Sequence, residues 1–178
     1  GTRGLERPID ETIEQWKSLG QAEIDRRLDA MSRDARVEVP PERTQLSWAE
    51  VAEMSAGGVS FGSHSASHAI LTQLEVQELR RELEDSLTEL RRRCIDSVPV
   101  FCYPNGDYND RVVEAVAAAG YTGAFTTDFG CETPVPRDLF RLRRIGIHQD
   151  ICGTIPLFAF HLAGLNQALA GAARRTLG

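Results

Sequence analysis

Long apolar runs are missing from this sequence. No stretch approaches the ~20 consecutive hydrophobic residues needed to cross a bilayer, so no membrane span is expected. The amino terminus, GTRGLERPIDE, also lacks the charged-then-apolar order of a secretory leader, which favours a cytoplasmic location. An excess of positive charge is absent too: 20 Lys and Arg face 26 Asp and Glu, for a net charge of −6. Nucleic-acid affinity rests on clustered cations, so a nucleic-acid partner is not expected. Cysteine is scarce. Cys94, Cys102, Cys131 and Cys152 show no CxxC spacing, which speaks against a redox or zinc-structural protein and reads as isolated core thiols. No internal repeat or low-complexity tract occurs. What remains is the composition of a globular chain of 178 residues, 42% hydrophobic and 26% charged, with room for one core or one core plus an appendage.

The apolar pattern divides the chain near residue 45. Ile9, Ile13, Trp16, Ile24, Leu28 and Met31 recur at helical spacing, which predicts one or two amphipathic helices over 8–33. Pro40 and Pro41 mark a linker over 36–43, so residues 1–45 form a helical segment with its linker and 46–178 the main domain. Ser47 and Glu50 make a capping box with Leu46 and Val51 as its staple, predicting a helix from Trp48 to just before Gly57. A strand follows over 59–62. A second box, Thr72 to Glu75 with Leu71 and Val76 as staple, predicts a long helix that carries Leu79, Leu83, Leu87 and Leu90 to about Arg93. Then come a strand over 98–103, a helix over 110–119 capped by Asn109 and stopped at Gly120, and a strand over 121–127. A loop over 129–138 and an extended stretch over 139–147 lead to a last helix marked by Phe158, Leu162, Leu165 and Leu169. Strands alternating with helices imply an α/β fold with a parallel sheet, and chemistry on the loops that leave the carboxyl ends of the strands.

Three segments meet that expectation. Gly62 to His68, GSHSASH, holds two imidazoles four residues apart; on one helical turn they would face the same side and could share a metal ion. Alone, such a pair reads more readily as capping or core histidines. Phe101 to Gly106, FCYPNG, bends at Pro104-Asn105-Gly106 and can turn backbone N–H groups outward toward a developing oxyanion, or be a plain tight turn. Arg144 to Asp150, RIGIHQD, offers His148 as a proton donor oriented by Asp150, or a surface histidine. His161 reads as structural.

In this order, GSHSASH, FCYPNG and RIGIHQD resemble the later motifs of the polysaccharide deacetylase family, also called the NodB homology domain or carbohydrate esterase family 4, with residues 46–150 similar to its carboxyl-terminal part. The resemblance implies an incomplete (β/α) barrel whose first strands are missing. It also implies metal-dependent hydrolysis of N-acetyl or related acyl groups from amino sugars of a glycan. The divalent cation, usually zinc, would be held by His64 and His68. The oxyanion would lie at the Asn105 N–H, His148 would protonate the leaving amine, and Tyr103, Pro104 and Asp150 would line the substrate.

The sequence also departs from the family pattern. The family's first motif, an aspartate pair on an early strand, has no counterpart upstream of Ser47, where Asp10, Asp25, Asp29 and Asp34 lie in helical, polar surroundings. Pro99 and Val100 stand where an arginine is usual, and Thr126-Thr127-Asp128-Phe129 replaces a tryptophan motif, leaving Asp128 a possible orienting group. Two histidines without a third ligand predict weaker zinc binding than in a complete member. The expectation is a bacterial deacetylase of which this chain is the carboxyl-terminal portion, with a non-catalytic glycan-binding or scaffolding domain as the alternative. The exposed edge near Val59 would be covered by residues 8–33 or would drive homo-oligomer formation.

Overall fold

A computed structural model describes residues 3–35, 45–93 and 96–165. Four short strands form its centre: β1 (Phe61–Ser63), β2 (Ser97–Cys102), β3 (Gly123–Phe129) and β4 (Leu142–Arg144). All neighbours run parallel, in the sheet order β1-β2-β3-β4. That order follows the chain: helices cross from β1 to β2 and from β2 to β3, and an irregular connection leads from β3 to β4. Every carboxyl end therefore lies on one side of the sheet.

The helices are α1 (Arg3–Trp16), α2 (Gln21–Ala35), α3 (Trp48–Ala56), α4 (Val76–Arg92), α5 (Asp110–Ala118), α6 (Gln149–Cys152) and α7 (Ile155–Leu162). The first capping box is formed as predicted: Glu50 N–H donates to Ser47 Oγ and Ser47 N–H to Glu50 Oε2, at 3.3 and 2.7 Å. The second is displaced by three residues. Leu71–Gln73 form a 3₁₀ turn, and Glu75 becomes the N-cap of α4, its N–H donating to Glu78 Oε2 at 3.4 Å. Two events fix that turn. Leu71 is fully buried, and the Arg111 guanidinium on α5 donates to the Thr72 and Leu74 carbonyls at 3.0 and 2.9 Å, which ties the turn to α5. The predicted strand over 59–62 begins later, at Phe61. The linker over 36–43, Cys94 and Leu169 lie outside the described residues.

The core sits between α4, α5 and the sheet. Leu79, Leu83 and Leu87 form one face of α4 and pack with Phe101, Tyr103, Val112, Val116, Tyr121 and Ala124. Each such side chain contributes about 1.5–3 kcal/mol through burial. The outer face of α4 carries exposed pairs such as Arg80–Glu84 and Arg93–Glu89, which solvent screens. A polar chain also ties α4 to the sheet: Ser63 Oγ donates to Ser86 Oγ at 2.8 Å, and Ser86 Oγ to the Glu82 carbonyl at 2.9 Å. This link fixes the carboxyl end of β1 over one turn of α4. The amino-terminal helices meet the rest of the chain through segment 67–82, where Gln73 Nε2 donates to the Lys17 carbonyl beside a cleft of about 720 Å³. On its outer side β1 pairs with no strand among the described residues.

Candidate active site

The carboxyl end of β1 leads directly into His64. Gly62 lets this strand lie close to β2, since a Cβ there would fall 3.1 Å from the Val100 carbonyl oxygen. Residues 64–70 do not continue as the helical turn the spacing suggested. Ser65 and His68 instead adopt left-handed backbone, at φ 68° and 62°, and the His68 N–H donates to Ser65 Oγ at 2.9 Å. Such conformations are costly for residues with a Cβ and persist only where the surroundings impose them. The loop still brings the two imidazoles together, with ring centroids 4.8 Å apart in an edge-to-face arrangement.

One hydrogen bond defines the chemistry of His64. Its Nδ1 lies 2.8 Å from the Cys102 carbonyl, across the gap from β1 to β2. A carbonyl oxygen only accepts, so Nδ1 carries the proton, and in the neutral ring Nε2 keeps its lone pair. That is the tautomer a metal-ligating histidine needs, held by the kind of outer contact that orients such ligands.

The same carbonyl precedes the turn at the end of β2. Gly106 N–H donates to the Tyr103 carbonyl at 3.0 Å and Asp107 N–H to the Pro104 carbonyl at 3.1 Å. Asn105, at the exposed crest, has φ 56°, and its N–H finds no acceptor among the described residues. Gly106, at φ 77°, lies so close to β3 that an added Cβ would sit 2.0 Å from Thr127 Oγ1. Tyr103 and Pro104, expected at the substrate, are buried beneath the turn. The Tyr103 hydroxyl donates to the Phe140 carbonyl at 2.8 Å, its ring stacks on Tyr108, and burial pushes its phenol well above the ordinary range. These two residues therefore support the crest from inside, because the core claims an aromatic ring more strongly than solvent does. Burial also raises the Cys102 thiol, against the opposing pull of Arg144, so this cysteine stays protonated.

His148 stands apart. It caps α6 just after β4, exposed, with its ring against Gly146. Three strand spacings of roughly 4.8 Å each separate β4 from β1. The side chain of Asp150 lies outside the described residues. Asp128 accepts from the Tyr108 hydroxyl at 3.1 Å, and His161 is buried with Nε2 2.9 Å from the Gly146 carbonyl. Cys102, Cys131 and Cys152 are free.

Two nitrogen donors that could serve a divalent cation lie side by side here. The His64 tautomer and the adjoining His68 ring fit two nitrogen ligands, while no group of three His, Cys, Asp or Glu residues converges among the described residues. Glu82, whose carboxylate grips the loop between the two histidines, was not foreseen. Its signal in the sequence is faint: an acid between Leu79 and Leu83 on the long helix that follows the loop.

Comparison with known proteins bears on the family and the fold. The polysaccharide deacetylase family matches residues 15–124, more than half of the chain. YxkH of Bacillus subtilis (strain 168), a polysaccharide deacetylase by name only, is 26% identical over 105 residues, covering 59% of this chain and 37% of that protein. Among solved structures, the Streptococcus pyogenes deacetylase PplD in complex with acetate superposes with a TM-score of 0.56 at 27% identity, over 62% of this chain and 49% of that one. A polysaccharide deacetylase from Bacillus cereus gives 0.58 at 29% identity, over 69% and 38%. The chain therefore spans between about a third and a half of the length of these relatives.

Proposed function

The chain belongs to the polysaccharide deacetylase family, its four-stranded parallel sheet forming an incomplete barrel of that type, and from this premise we propose that the ends of β1 and β2 take part in hydrolysing N-acetyl groups from amino sugars of a glycan. The observation that carries the reading is the His64 Nδ1 to Cys102 carbonyl bond, which leaves Nε2 available beside His68. His64 and His68 would hold a divalent cation, zinc being the expected one. Bound there, such an ion polarises the acyl carbonyl and makes water acidic enough to react near neutral pH.

The remaining steps are assigned to the chain itself. Water oxygen bonds to the acyl carbon as a water proton passes to solvent, and the C–N bond breaks with its electron pair going to nitrogen, releasing acetate and the sugar amine. The Asn105 N–H, projecting from a left-handed crest, donates to the oxygen that gains charge on the way. His148 is assigned the proton transfer to the departing nitrogen. Acetate, present in the PplD structure, is the product this reaction would give.

A second reading rests on the two-ligand set. With no third His, Cys, Asp or Glu converging with the two histidines among the described residues, the chain would bind or scaffold a glycan without turning it over. Acetate release from N-acetylglucosamine oligomers, with and without added zinc, separates the two. The catalytic reading expects zinc-dependent release that disappears in His64→Ala. Glycan binding with no release under any condition would overturn it and leave the binding domain.

A further inference from the structure

Between His64 and His68 the chain turns through left-handed Ser65, and one carboxylate takes the N–H groups inside that turn. Glu82 Oε2 accepts from Ala66 N–H at 3.0 Å and from Ser67 N–H at 2.8 Å, while Oε1 accepts from the Ser67 hydroxyl at 2.7 Å. Glu82 sits on α4 between Leu79 and Leu83, both buried in the core, so its backbone cannot drift with the loop. The same helical turn also grips the residue before His64, because Ser63 Oγ donates to Ser86 Oγ, which donates to the Glu82 carbonyl.

We propose that Glu82 is a positioning residue for the histidine pair: by holding three donors of residues 66 and 67 on a rigid helix, it sets the separation of the His64 and His68 rings and so their fitness to share a divalent cation. The inference rests on the active-site reading above. Charge-assisted bonds to backbone N–H groups are short and strong, and three on one carboxylate keep a loop in a conformation that Ser65 and His68 would otherwise leave. Glutamine cannot replace the group. It loses the charge that strengthens the two N–H bonds, and its NH2 can meet Ser67 Oγ only as a donor, reversing that contact.

Zinc chloride titration of the full chain by calorimetry tests this, read beside the metal-free amide proton shifts of Ala66 and Ser67 and the thermal midpoint. E82Q is expected to bind zinc about tenfold more weakly, as loss of an outer-shell partner does, with both amide protons displaced and the midpoint near that of the parent. E82D keeps the charge but shortens the reach and is expected to lose a similar amount. E84Q, which removes the same charge from the same helix where it pairs with Arg80, should change neither readout. Parental affinity in E82Q or E82D, or an equal loss in E84Q, would overturn the proposal. If the parent chain takes up no zinc at all, the active-site reading falls separately. The amide shifts then decide the positioning role, which unchanged shifts in E82Q would refute.

Discussion

The carboxyl ends of β1 and β2 differ in kind from those of β3 and β4, although both pairs belong to one parallel sheet and both loops are rich in polar residues. All three non-glycine residues with left-handed backbone among the described residues, Ser65, His68 and Asn105, lie at the first pair of ends. That side also has uncommitted atoms: the second nitrogen of His64 and the Asn105 N–H. At the other pair the charges satisfy one another. Arg143 bonds Glu132 at 3.0 Å and the Cys131 carbonyl at 2.8 Å, and Arg141 bridges Asp138 and Asp110. Strain combined with open bonding capacity is what a reacting site needs, whereas mutual satisfaction without strain describes a fastening.

The largest effect is expected where the two regions touch. Gly106→Ala would force a Cβ to within 2.0 Å of Thr127 Oγ1, at a φ that alanine already disfavours. A loss of ~3 kcal/mol in urea unfolding follows from the clash and the backbone together. Adding Thr127→Gly should restore the steric part and leave the conformational part. An undiminished loss in the double variant would mean that the seam between the regions lies elsewhere.

The division itself is tested by zinc calorimetry on two single variants. His64→Ala is expected to weaken binding about a hundredfold, or ~2.7 kcal/mol, while His148→Ala stays within twofold of the parent. Equal losses would join the two regions into one metal site and erase the contrast.

Local features of this pattern were legible in the sequence, and long-range ones were not. The Ser47–Glu50 box and the Asn109 cap formed as read, because each depends on residues three apart. The box at Thr72 gave way to a turn that buries Leu71 and is tied to distant Arg111, partners that lie far off in the chain. The four-residue spacing of His64 and His68 did mark a contact. It could not show that a loop held by Glu82, fifteen or so residues away, would make that contact in place of a helical turn. Tyr103 looked like a site residue from its neighbours, and only the packing of α4 and α5 against the sheet buried it.

The smallest effect belongs to the fastened side and tests whether its ion pairs do more than fasten. The Arg141 guanidinium, and after it the Phe140 N–H, hold the Asp138 carboxyl below its ordinary range. A carboxyl whose value is lower folded than unfolded binds fewer protons in the native state. Its contribution is therefore complete above ~pH 5, where the unfolded carboxylate is also ionised, and is lost as pH falls through the depressed folded value. The Asp138 side chain is 38% exposed, so solvent screens the pair and the contribution is only about 0.5 kcal/mol. Asp138→Asn keeps an acceptor for the Phe140 N–H and removes the charge together with the oxygen that faces Arg141. Urea unfolding at stepped pH should show the parent more stable than this variant by that small margin near neutrality, with the difference closing toward pH 2. Zinc affinity should be the same in both proteins. A variant that lost zinc binding would give the Arg141 network a part in the site, and the distinction between the two pairs of strand ends would no longer stand.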